Sequence, residues 1–280
     1  MKISIITINY NYAEGLRKTI ESVVTQSSHD YEYIVIDGGS TDGSVDVIKE
    51  YASQIDYWVS EPDGGIYNAM NKGIAIAKGD YCNFMNSGDV YFDKDVLKNV
   101  VCYQKNEDII YGDIFYSGQG VWPNPDKITM KLFYKHALYH QTCFIRTSLL
   151  KEKPYDEAFK IVSDWKWFIE TIGLGHASYV HIPLTIVLYE GGGISESNSA
   201  LGREERSKAW KQLLPETILN DYEDYVYGLT PYRQMFTKID DIPPFKRIIY
   251  FLNVLFLKFV NLKYRSKWIK ELPWSLHRKN

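Results

Sequence analysis

Short apolar, β-branched runs alternate with segments of helical spacing over the first third of the chain. Lys2–Ile8 predicts a buried strand, and the apolar residues of Glu14–Val24 recur at the spacing of an amphipathic helix. The pattern then repeats, with strands predicted at Tyr33–Ile36, Ile55–Val59 and Tyr81–Met85 and helices at Ser44–Tyr51 and Tyr67–Ala77. Strands and helices that alternate at this pace predict an α/β fold, with a mostly parallel sheet flanked by helices.

After Asp93 the alternation is less regular. The predicted helices there are Asp95–Gln104, Ser163–Ile172 and Arg203–Leu219, and the predicted strands are Asp108–Ile114, His140–Arg146, Tyr179–Ile182 and Thr185–Tyr189. A segment rich in Gly and Pro, Ser117–Asp126, is expected to be a loop. Breaks are expected at the glycines Gly191–Gly193 and at the pair Pro243-Pro244.

Composition narrows the class of protein. Of 280 residues, 45% are hydrophobic and 24% charged, which is typical of a globular chain and excludes a disordered one. Three cysteines without CxxC spacing favour neither a disulfide framework nor a zinc site. The net charge of −3 argues against nucleic-acid binding. Neither a signal peptide nor a transmembrane helix is expected, because every apolar run is too short.

Charge is unevenly placed along the chain. Residues 243–280 carry nine Lys or Arg and one acid, so this tail has a charge of +8 and the remainder −11. Apolar and aromatic residues recur near helical spacing between the cations. The pattern predicts a basic amphipathic tail that lies on an anionic membrane surface. A helix packed on the protein itself or on a second copy is the alternative.

Polar residues follow four of the predicted strands. They are Thr7 and Asn9, the run Asp37–Asp42, Glu61 with Asp63, and the run Asn86–Asp89. In an open parallel sheet, ligands bind outside the carboxyl ends of the strands, so these residues predict a binding site at one edge. Ordinary turn chemistry explains any one of these loops, but it is a weaker explanation for four at the same edge.

Two common phosphate-binding motifs are missing from the sequence. The first strand is followed by Asn9–Tyr12 rather than by GxGxxG, and GxxxxGK[ST] does not occur. A ligand's phosphates therefore need another means of neutralisation. A divalent cation held by Asp89 supplies one, since Mg²⁺ and Mn²⁺ prefer oxygen ligands and need few carboxylates when phosphates provide the rest.

Four motifs together resemble a known family. They are Ile5–Asn11 (IITINYN), Ile36–Ser44 (IDGGSTDGS), Glu61–Gly73 (EPDGGIYNAMNKG) and Phe84–Asp89 (FMNSGD), followed by the weaker matches His140-Gln141 and Ser163–Trp165. In this order and spacing, the chain resembles the family 2 glycosyltransferases of the GT-A fold, of the kind that builds bacterial surface polysaccharides such as O-antigen, capsule and colanic acid. The resemblance spans about two thirds of the chain.

The resemblance implies an organisation and a reaction. A GT-A catalytic domain over 1–200 would comprise a nucleotide-sugar-binding half, 1–110, and an acceptor half, 111–200. A helical extension over 201–242 and the tail 243–280 would follow. The enzyme would invert configuration, moving a sugar from a nucleotide-diphosphate donor, a UDP-sugar by family preference, to a glycan or lipid-linked saccharide. With the tail on the membrane, its expected location is the cytoplasmic face of the cell membrane.

Residue roles follow from the same resemblance. Asp164 would be the general base and Asp89 the ligand of Mn²⁺ or Mg²⁺. Residues that would bind the nucleotide sugar are Thr7, Asn9, Tyr10, Asp37, Asp42, Asp63, Gly64, Asn68, Asn71, Lys72, Asn86 and Ser87. Residues on the acceptor or diphosphate side would be His140, Trp165 and Arg203.

Each of the weaker assignments has a structural alternative. Asp164 is also suited to a helix N-terminus, His140 to a buried strand, Trp165 to the core and Arg203 to a solvated helix face. The chain also departs from the family's pattern, since many relatives have acids where it has Asn86 and Gly88. A non-catalytic nucleotide-binding scaffold therefore stays open. A sugar-phosphate nucleotidyltransferase is less favoured, because its glycine-rich basic loop after the first strand is missing.

Overall fold

The computed structural model describes residues 1–103, 105–191 and 198–227. The chain forms two compact units, Met1–Pro215 and Glu216–Asn280, of which the second is described only as far as Tyr227. The expected basic tail 243–280, residues 228–242 of the extension before it, and Gly192 and Gly193 lie outside the described residues. Within the described ranges, no helix is long and apolar enough to cross a bilayer.

The described part of the chain alternates strands and helices as predicted. The strands are β1 (Ile3–Asn9), β2 (Tyr31–Asp37), β3 (Tyr57–Ser60), β4 (Tyr81–Phe84), β5 (Val90–Tyr91), β6 (Ile109–Tyr116), β7 (Gly120–Trp122), β8 (Cys143–Arg146) and β9 (Tyr179–Tyr189). The helices are α1 (Ala13–Val24), α2 (Ser44–Glu50), α3 (Ile66–Ile76), α4 (Val96–Cys102), α5 (Met130–Lys135), α6 (Thr147–Glu152), α7 (Ser163–Phe168), α8 (Ser199–Leu213) and α9 (Glu216–Tyr227).

One sheet runs through the first compact unit in the order β3-β2-β1-β4-β8-β6-β9-β5, and β7 pairs with β6. Strands β3, β2, β1 and β4 are parallel to one another, as are β6 and β9. Strand β8 runs antiparallel to both β4 and β6, so the two parallel groups point the same way. The carboxyl ends of β1–β4, β6 and β9 therefore share one edge with the amino ends of β5 and β8. We call this the polar edge.

The core is built around β1, which is buried along its whole length. A strand with neighbours on both sides and helices on its faces has no wet side, which explains its continuous apolar run. On one face, Ile3 and Ile5 belong to the same buried cluster as Leu16 and Ile20 of α1. Polar side chains that contact a ligand are therefore expected at the strand ends and not on the strand faces.

The strand predicted at His140–Arg146 begins later than expected. His140–Thr142 forms a 3₁₀ turn, in which the Thr142 N–H and hydroxyl both donate to the Tyr139 carbonyl at 2.9 Å. Strand β8 then starts at Cys143. Because the amino end of β8 lies at the polar edge, this turn places His140 there.

The helix predicted over Arg203–Leu219 is two helices, α8 and α9. Leu214 between them is extended, with φ −130° and ψ 143°. The following Pro215 explains this conformation, because proline disfavours the helical region for the residue before it. Helix α8 belongs to the first compact unit.

The other differences concern short elements and a proline. Strands β5 and β7 and helices α5 and α6, of two to six residues, were not predicted. The two strands predicted on either side of Pro183 are one strand, β9. Its pairing with β6 shifts register opposite this proline, where a ladder donor is lost.

Gly73→Ala in α3 is expected to destabilise the protein although alanine favours helix. A Cβ atom at Gly73 would lie 2.5 Å from Ile6 Cγ2 of β1. Overpacking costs about 1–3 kcal/mol, more than the roughly 1 kcal/mol that alanine gains in a helix. The matched control is Gly202→Ala in α8, where the Cβ would make an ordinary contact of 3.6 Å with Ile161. Thermal denaturation should show a lower Tm for the first variant and an unchanged or higher Tm for the second; a rise in both would contradict the packing of α3 on β1.

Candidate active site

The loop after β2 is organised around Asp37. This side chain is fully buried, and its two oxygens accept hydrogen bonds from the Asn9 amide, the Ser40 N–H and hydroxyl, and the Ser60 hydroxyl, at 2.6–2.9 Å. Burial alone would raise the pKa of Asp37, but the donors outweigh it and lower the pKa. Four donors fill a carboxylate. A direct contact between Asp37 and a nucleotide base would require one of these bonds to be given up.

Two buried amide oxygens at the polar edge have no hydrogen-bond partner among the described residues. They are Asn9 Oδ1, at the end of β1, and Asn86 Oδ1, in the loop after β4. The orientation of the Asn9 amide is fixed by its nitrogen, which donates to Asp37 at 2.7 Å. Buried acceptors are normally satisfied, so two unpaired ones at the ends of adjacent strands favour a binding site there.

The side chains of Thr7 and Asp42 contact other groups of the protein and do not line the surface of the polar edge. The Thr7 side chain is fully buried, and its hydroxyl lies 3.1 Å from that of Tyr33. Asp42 accepts a bond from the Ala13 N–H at the start of α1 and from the Ser44 N–H and hydroxyl at the start of α2. Thr7 thus packs beneath the edge and Asp42 fixes the loop, whereas the Tyr10 ring is 68% exposed at the edge itself.

The loop before α3 and the first turns of that helix are tied to two acids. Asn68 and Asn71 both donate to Glu157, at 2.9 Å each. Lys72 forms an ion pair of 2.7 Å with Glu61. Asp63 accepts from the Gly65 N–H at 2.8 Å, and the Gly64 N–H donates to Asn68. The sequence offered no signal for Glu157, which contacts α3 from a loop far along the chain.

Asp89 lies in a tight turn at the start of β5. Its carboxylate accepts from the Asn86 N–H at 3.0 Å and from the Gln141 amide at 3.2 Å, and the side chain is buried. Burial raises the pKa of Asp89 to about 6. Gly88 has φ +102°, a conformation that an acidic residue would adopt only under strain. The glycine that departs from the family's pattern is therefore required by this turn. The Ser87 hydroxyl turns back to the Ile8 carbonyl.

A second carboxylate, Asp164, is paired at the same edge. It lies in the first turn of α7, where Oδ2 is 3.2 Å from His140 Nδ1 and Oδ1 is 2.7 Å from the Tyr67 hydroxyl. Burial alone would raise the pKa of Asp164, but the hydrogen bond and charge of His140, with the Tyr67 hydroxyl, outweigh it and lower the pKa. Burial alone would lower the pKa of His140, and the nearby Asp164 and Asp89 carboxylates raise it instead.

Asn86 links the two carboxylates. Its N–H donates to Asp89, and its side-chain nitrogen lies 3.1 Å from His140 Nε2. The imidazole thus bridges two residues, with Nε2 facing the Asn86 amide and Nδ1 facing Asp164. The sequence predicted each of these residues separately but not the connected chain of contacts. Tyr67 was missed because it lies nearly a hundred positions before Asp164.

The structure corrects the expectation for Trp165. The ring is 1% exposed, its Nε1–H donates to the Phe133 carbonyl at 2.9 Å, and it packs edge-on against Trp210. The Arg206 guanidinium covers the ring at 4.9 Å. Trp165 therefore has no free face for a sugar and belongs to the core. Arg203, by contrast, is exposed on α8.

The fit of a metal ion can be judged from the ligands present. Among the residues that the structure describes, no group of three or more His, Cys, Asp or Glu side chains is placed to hold one. Asp89 is a single carboxylate, and each of its oxygens keeps a second lone pair beside the bond it already accepts. The donor set thus fits a cation that takes most of its ligands from a bound diphosphate and water.

A carboxylate paired with histidine and a second buried carboxylate at the carboxyl edge of an α/β sheet are typical of an enzyme site. The family "Glycosyl transferase family 2" matches residues 4–161, and the chain belongs to this family. The expectation of a glycosyltransferase is thereby confirmed.

Two relatives at moderate identity are named as glycosyltransferases. A PGL/p-HBAD biosynthesis glycosyltransferase of Mycobacterium bovis is 27% identical over 203 residues, covering 69% of this chain and 79% of the relative. An uncharacterized glycosyltransferase of Mycobacterium tuberculosis is 34% identical over 193 residues, covering 66% of this chain and 71% of the relative.

Solved structures share the architecture at lower identity. Residues 1–349 of S. aureus TarS, in complex with UDP-GlcNAc, superpose with a TM-score of 0.60 at 19% identity, over 71% of this chain and 61% of that one. The mannosyltransferase PcManGT of Pyrobaculum calidifontis, in complex with GDP-Man and Mn²⁺, superposes with a TM-score of 0.54 at 12% identity, over 95% of this chain and 88% of that one. At such identities the likeness shows the fold, and it confirms the predicted GT-A architecture. The chain spans less than two thirds of the TarS chain.

Substitution by asparagine should change the stability of the protein in opposite directions at Asp89 and at Asp37. Asp89→Asn removes a charge that burial disfavours, so it is expected to raise stability at pH 7.5 by about 1–3 kcal/mol. Asp37→Asn removes a charge that four donors favour, and is expected to lower stability by a similar amount. Urea denaturation with a chelator present measures both. Because the folded-state pKa of Asp89 is raised, the gain should shrink as the pH falls through about 6. Loss of stability in both variants would contradict the assignment.

Proposed function

We propose that this protein is an inverting glycosyltransferase of cell-surface polysaccharide synthesis. It would move a sugar from a nucleotide-diphosphate donor to a hydroxyl of a glycan or lipid-linked saccharide. The observation that supports this most is the Asp164–His140–Tyr67 cluster at the polar edge, which holds an ionised carboxylate in a site that is otherwise largely buried. Asp89 and the unpaired amide oxygens of Asn9 and Asn86 lie at the same edge.

In the proposed reaction, Asp164 is the base. The acceptor O–H bond breaks as its proton passes to the Asp164 carboxylate, and the electron pair left on the acceptor oxygen forms the new bond to the anomeric carbon. The bond from that carbon to the donor diphosphate breaks on the opposite face, and the nucleoside diphosphate leaves with the pair. One base suffices for inversion. Its lowered pKa keeps Asp164 ionised at neutral pH, so it is ready to accept the proton.

Asp89 is the proposed ligand for Mn²⁺ or Mg²⁺. Asp89 would hold such a cation beside the diphosphate, and the cation would supply Lewis-acid stabilisation of the leaving group's charge. The residues of the chain hold the surroundings in place: the Asn86 N–H and Gln141 fix the Asp89 carboxylate, and Gly88 permits the turn. With one carboxylate available, cation and nucleotide should bind with strong mutual dependence.

UDP is the proposed nucleotide of the donor. The family assignment supports a nucleotide sugar, and the fold is shared with TarS in complex with UDP-GlcNAc as well as with a mannosyltransferase in complex with GDP-Man. Thr7, Asn9, Tyr10, Asp37, Asp42, Asp63, Gly64, Asn68, Asn71, Lys72, Asn86 and Ser87 remain the proposed donor half, with Thr7, Asp37 and Asp42 acting through the loops they fix. His140 is proposed to act on the acceptor side, through Asp164. Arg203 keeps its proposed place on the diphosphate side.

Asp164→Asn is expected to separate chemistry from binding. The amide cannot take a proton from the acceptor, so transfer from a UDP-sugar should fall by roughly 10²–10⁴-fold. Calorimetric titration of UDP with Mn²⁺ should give an affinity within about twofold of wild type, and omission of Mn²⁺ should weaken both proteins equally. GDP serves as the control nucleotide.

Each failure points to a different alternative. Wild-type protein that binds UDP but transfers nothing would favour the non-catalytic scaffold. Release of inorganic pyrophosphate from UTP and a sugar phosphate would favour the nucleotidyltransferase. An Asp164→Asn variant with full activity would reject Asp164 as the base while leaving the enzyme class intact.

A cluster of aromatic rings supports a saccharide acceptor. Tyr116 ends β6 at the polar edge, and its ring centroid lies 4.8 Å from Trp122 of β7, 5.1 Å from Tyr189 and 6.0 Å from Tyr139. Tyr139 directly precedes His140, and Trp122 is 47% exposed. An exposed ring in a cluster that includes the residue before His140 suits the apolar face of a sugar, so Trp122 is the proposed stacking residue for the acceptor.

Trp122→Ala should therefore raise the KM for the acceptor about tenfold, equivalent to roughly 1.4 kcal/mol, and leave the KM for the donor unchanged. Val121→Ala is the matched control. Val121 is equally exposed on the same strand, but it pairs with Phe115 and faces the other side of the hairpin. Equal effects of the two substitutions, or a change in the donor KM, would reject an acceptor-stacking role.

The tail 243–280 is proposed to hold the enzyme on the anionic inner face of the cell membrane. This proposal rests on its charge and aromatic pattern alone.

A further inference from the structure

Tyr67 lies between two acceptors. Its hydroxyl is 2.7 Å from Asp164 Oδ1 and 2.8 Å from the Ile161 carbonyl oxygen, and the side chain is buried. A phenol has one proton to donate. At any moment, one of the two acceptors is therefore without it.

We propose that Tyr67 is a positioning residue for the Asp164 base, and that its hydroxyl proton turns from Asp164 Oδ1 to the Ile161 carbonyl when Asp164 takes up a proton. The inference rests on the proposed function for the source of that proton. The hydroxyl itself keeps its proton throughout, because burial raises the pKa of Tyr67 well above its usual value.

The second acceptor is held in place from α8. The N–H of Val162 belongs to the same peptide unit as the Ile161 carbonyl, and it donates to Glu205 Oε2 at 3.3 Å. The N–H groups of Ile161 and Lys160 also donate to the Glu205 carboxylate, at 2.9 and 2.7 Å. Since the carbonyl points away from its own peptide N–H, this three-fold contact directs the Ile161 oxygen toward Tyr67.

An alternative acceptor matters because a base must be stable in both of its protonation states. A carboxylate with two donors and no alternative for them has a strongly lowered pKa and accepts protons poorly. If Asp164 became protonated while Tyr67 had no other partner, a buried O–H would be left unpaired. The Ile161 carbonyl removes that cost. It also lets a proton on Oδ1 be donated to the Tyr67 oxygen.

The other titratable groups around Asp164 do not repeat this role. His140 donates to Oδ2 and adds charge, and Arg206 lies over the Trp165 ring with its pKa lowered by burial. Tyr155 and Cys143 face the carboxylate with their pKa values raised by burial, so both stay neutral. The Tyr155 hydroxyl has no hydrogen-bond partner among the described residues, and its ring packs 5.5 Å from that of Tyr67.

The test compares Tyr67→Phe with Tyr155→Phe. Each removes one buried hydroxyl from the same aromatic cluster, but only the first removes a donor to Asp164. The ¹³Cγ signal of Asp164, assigned with Asp164→Asn, is titrated in the ligand-free protein, and the pH profile of kcat/KM is measured in parallel. Because a donor to the ionised form is lost, the titration and the acidic limb should both move up by about one pH unit in Tyr67→Phe. kcat should fall about tenfold with an unchanged donor KM, and Tyr155→Phe should match wild type.

Three results would overturn the proposal: an Asp164 titration that stays in place in Tyr67→Phe, equal shifts in both variants, or a fall in kcat without any shift. Should Tyr67→Phe fail to fold by circular dichroism, replacement of Tyr67 by 3-fluorotyrosine strengthens the donor and is expected to move the titration down instead. The titration needs no substrate. Absence of transferase activity in wild type would therefore reject the proposed function and leave this test standing.

Discussion

Burial of carboxylates at one sheet edge is the constraint around which the site is arranged. A carboxylate removed from water must be hydrogen-bonded, paired or protonated, and the chain uses a different solution for each of three. Asp37 is saturated by four donors and serves the loop. Asp89 has two donors and a raised pKa, which suits a group that awaits a cation. Asp164 is paired with a histidine and shares a hydroxyl that has a second acceptor.

Asp89 and Asp164 are connected because of the direction of β8. A strand inserted antiparallel between β4 and β6 brings its amino end, and not its carboxyl end, to the polar edge. His140 precedes that end in a 3₁₀ turn and so comes beside Asn86, which follows β4. If β8 ran parallel to its neighbours, the residues before it would lie at the opposite edge. Helix α8 completes the arrangement, because Glu205 fixes the backbone just before Asp164.

The sequence predicted the fold and the edge better than the roles of single side chains. Apolar runs and turn residues are local signals, so β1–β4 and their polar ends were readable from composition and spacing. Burial is a property of the folded chain, and it separates Asp37 and Thr7, which lie beneath the edge, from Tyr10, which lies on it. The same limit explains Trp165, whose position beside Asp164 along the chain does not reveal that its ring is covered by Arg206 and Trp210.

The amide at Asn86 departs from the acid of many relatives, and the contacts give this departure a chemical sense. The backbone N–H of Asn86 closes the Asp89 turn, and its side-chain nitrogen lies 3.1 Å from His140 Nε2. The Asp89 and Asp164 carboxylates already raise the pKa of His140. An acid in place of Asn86 would add a further negative charge beside the imidazole and raise that pKa more. The amide instead contacts Nε2 without adding charge, so one residue connects the Asp89 turn to the His140–Asp164 pair.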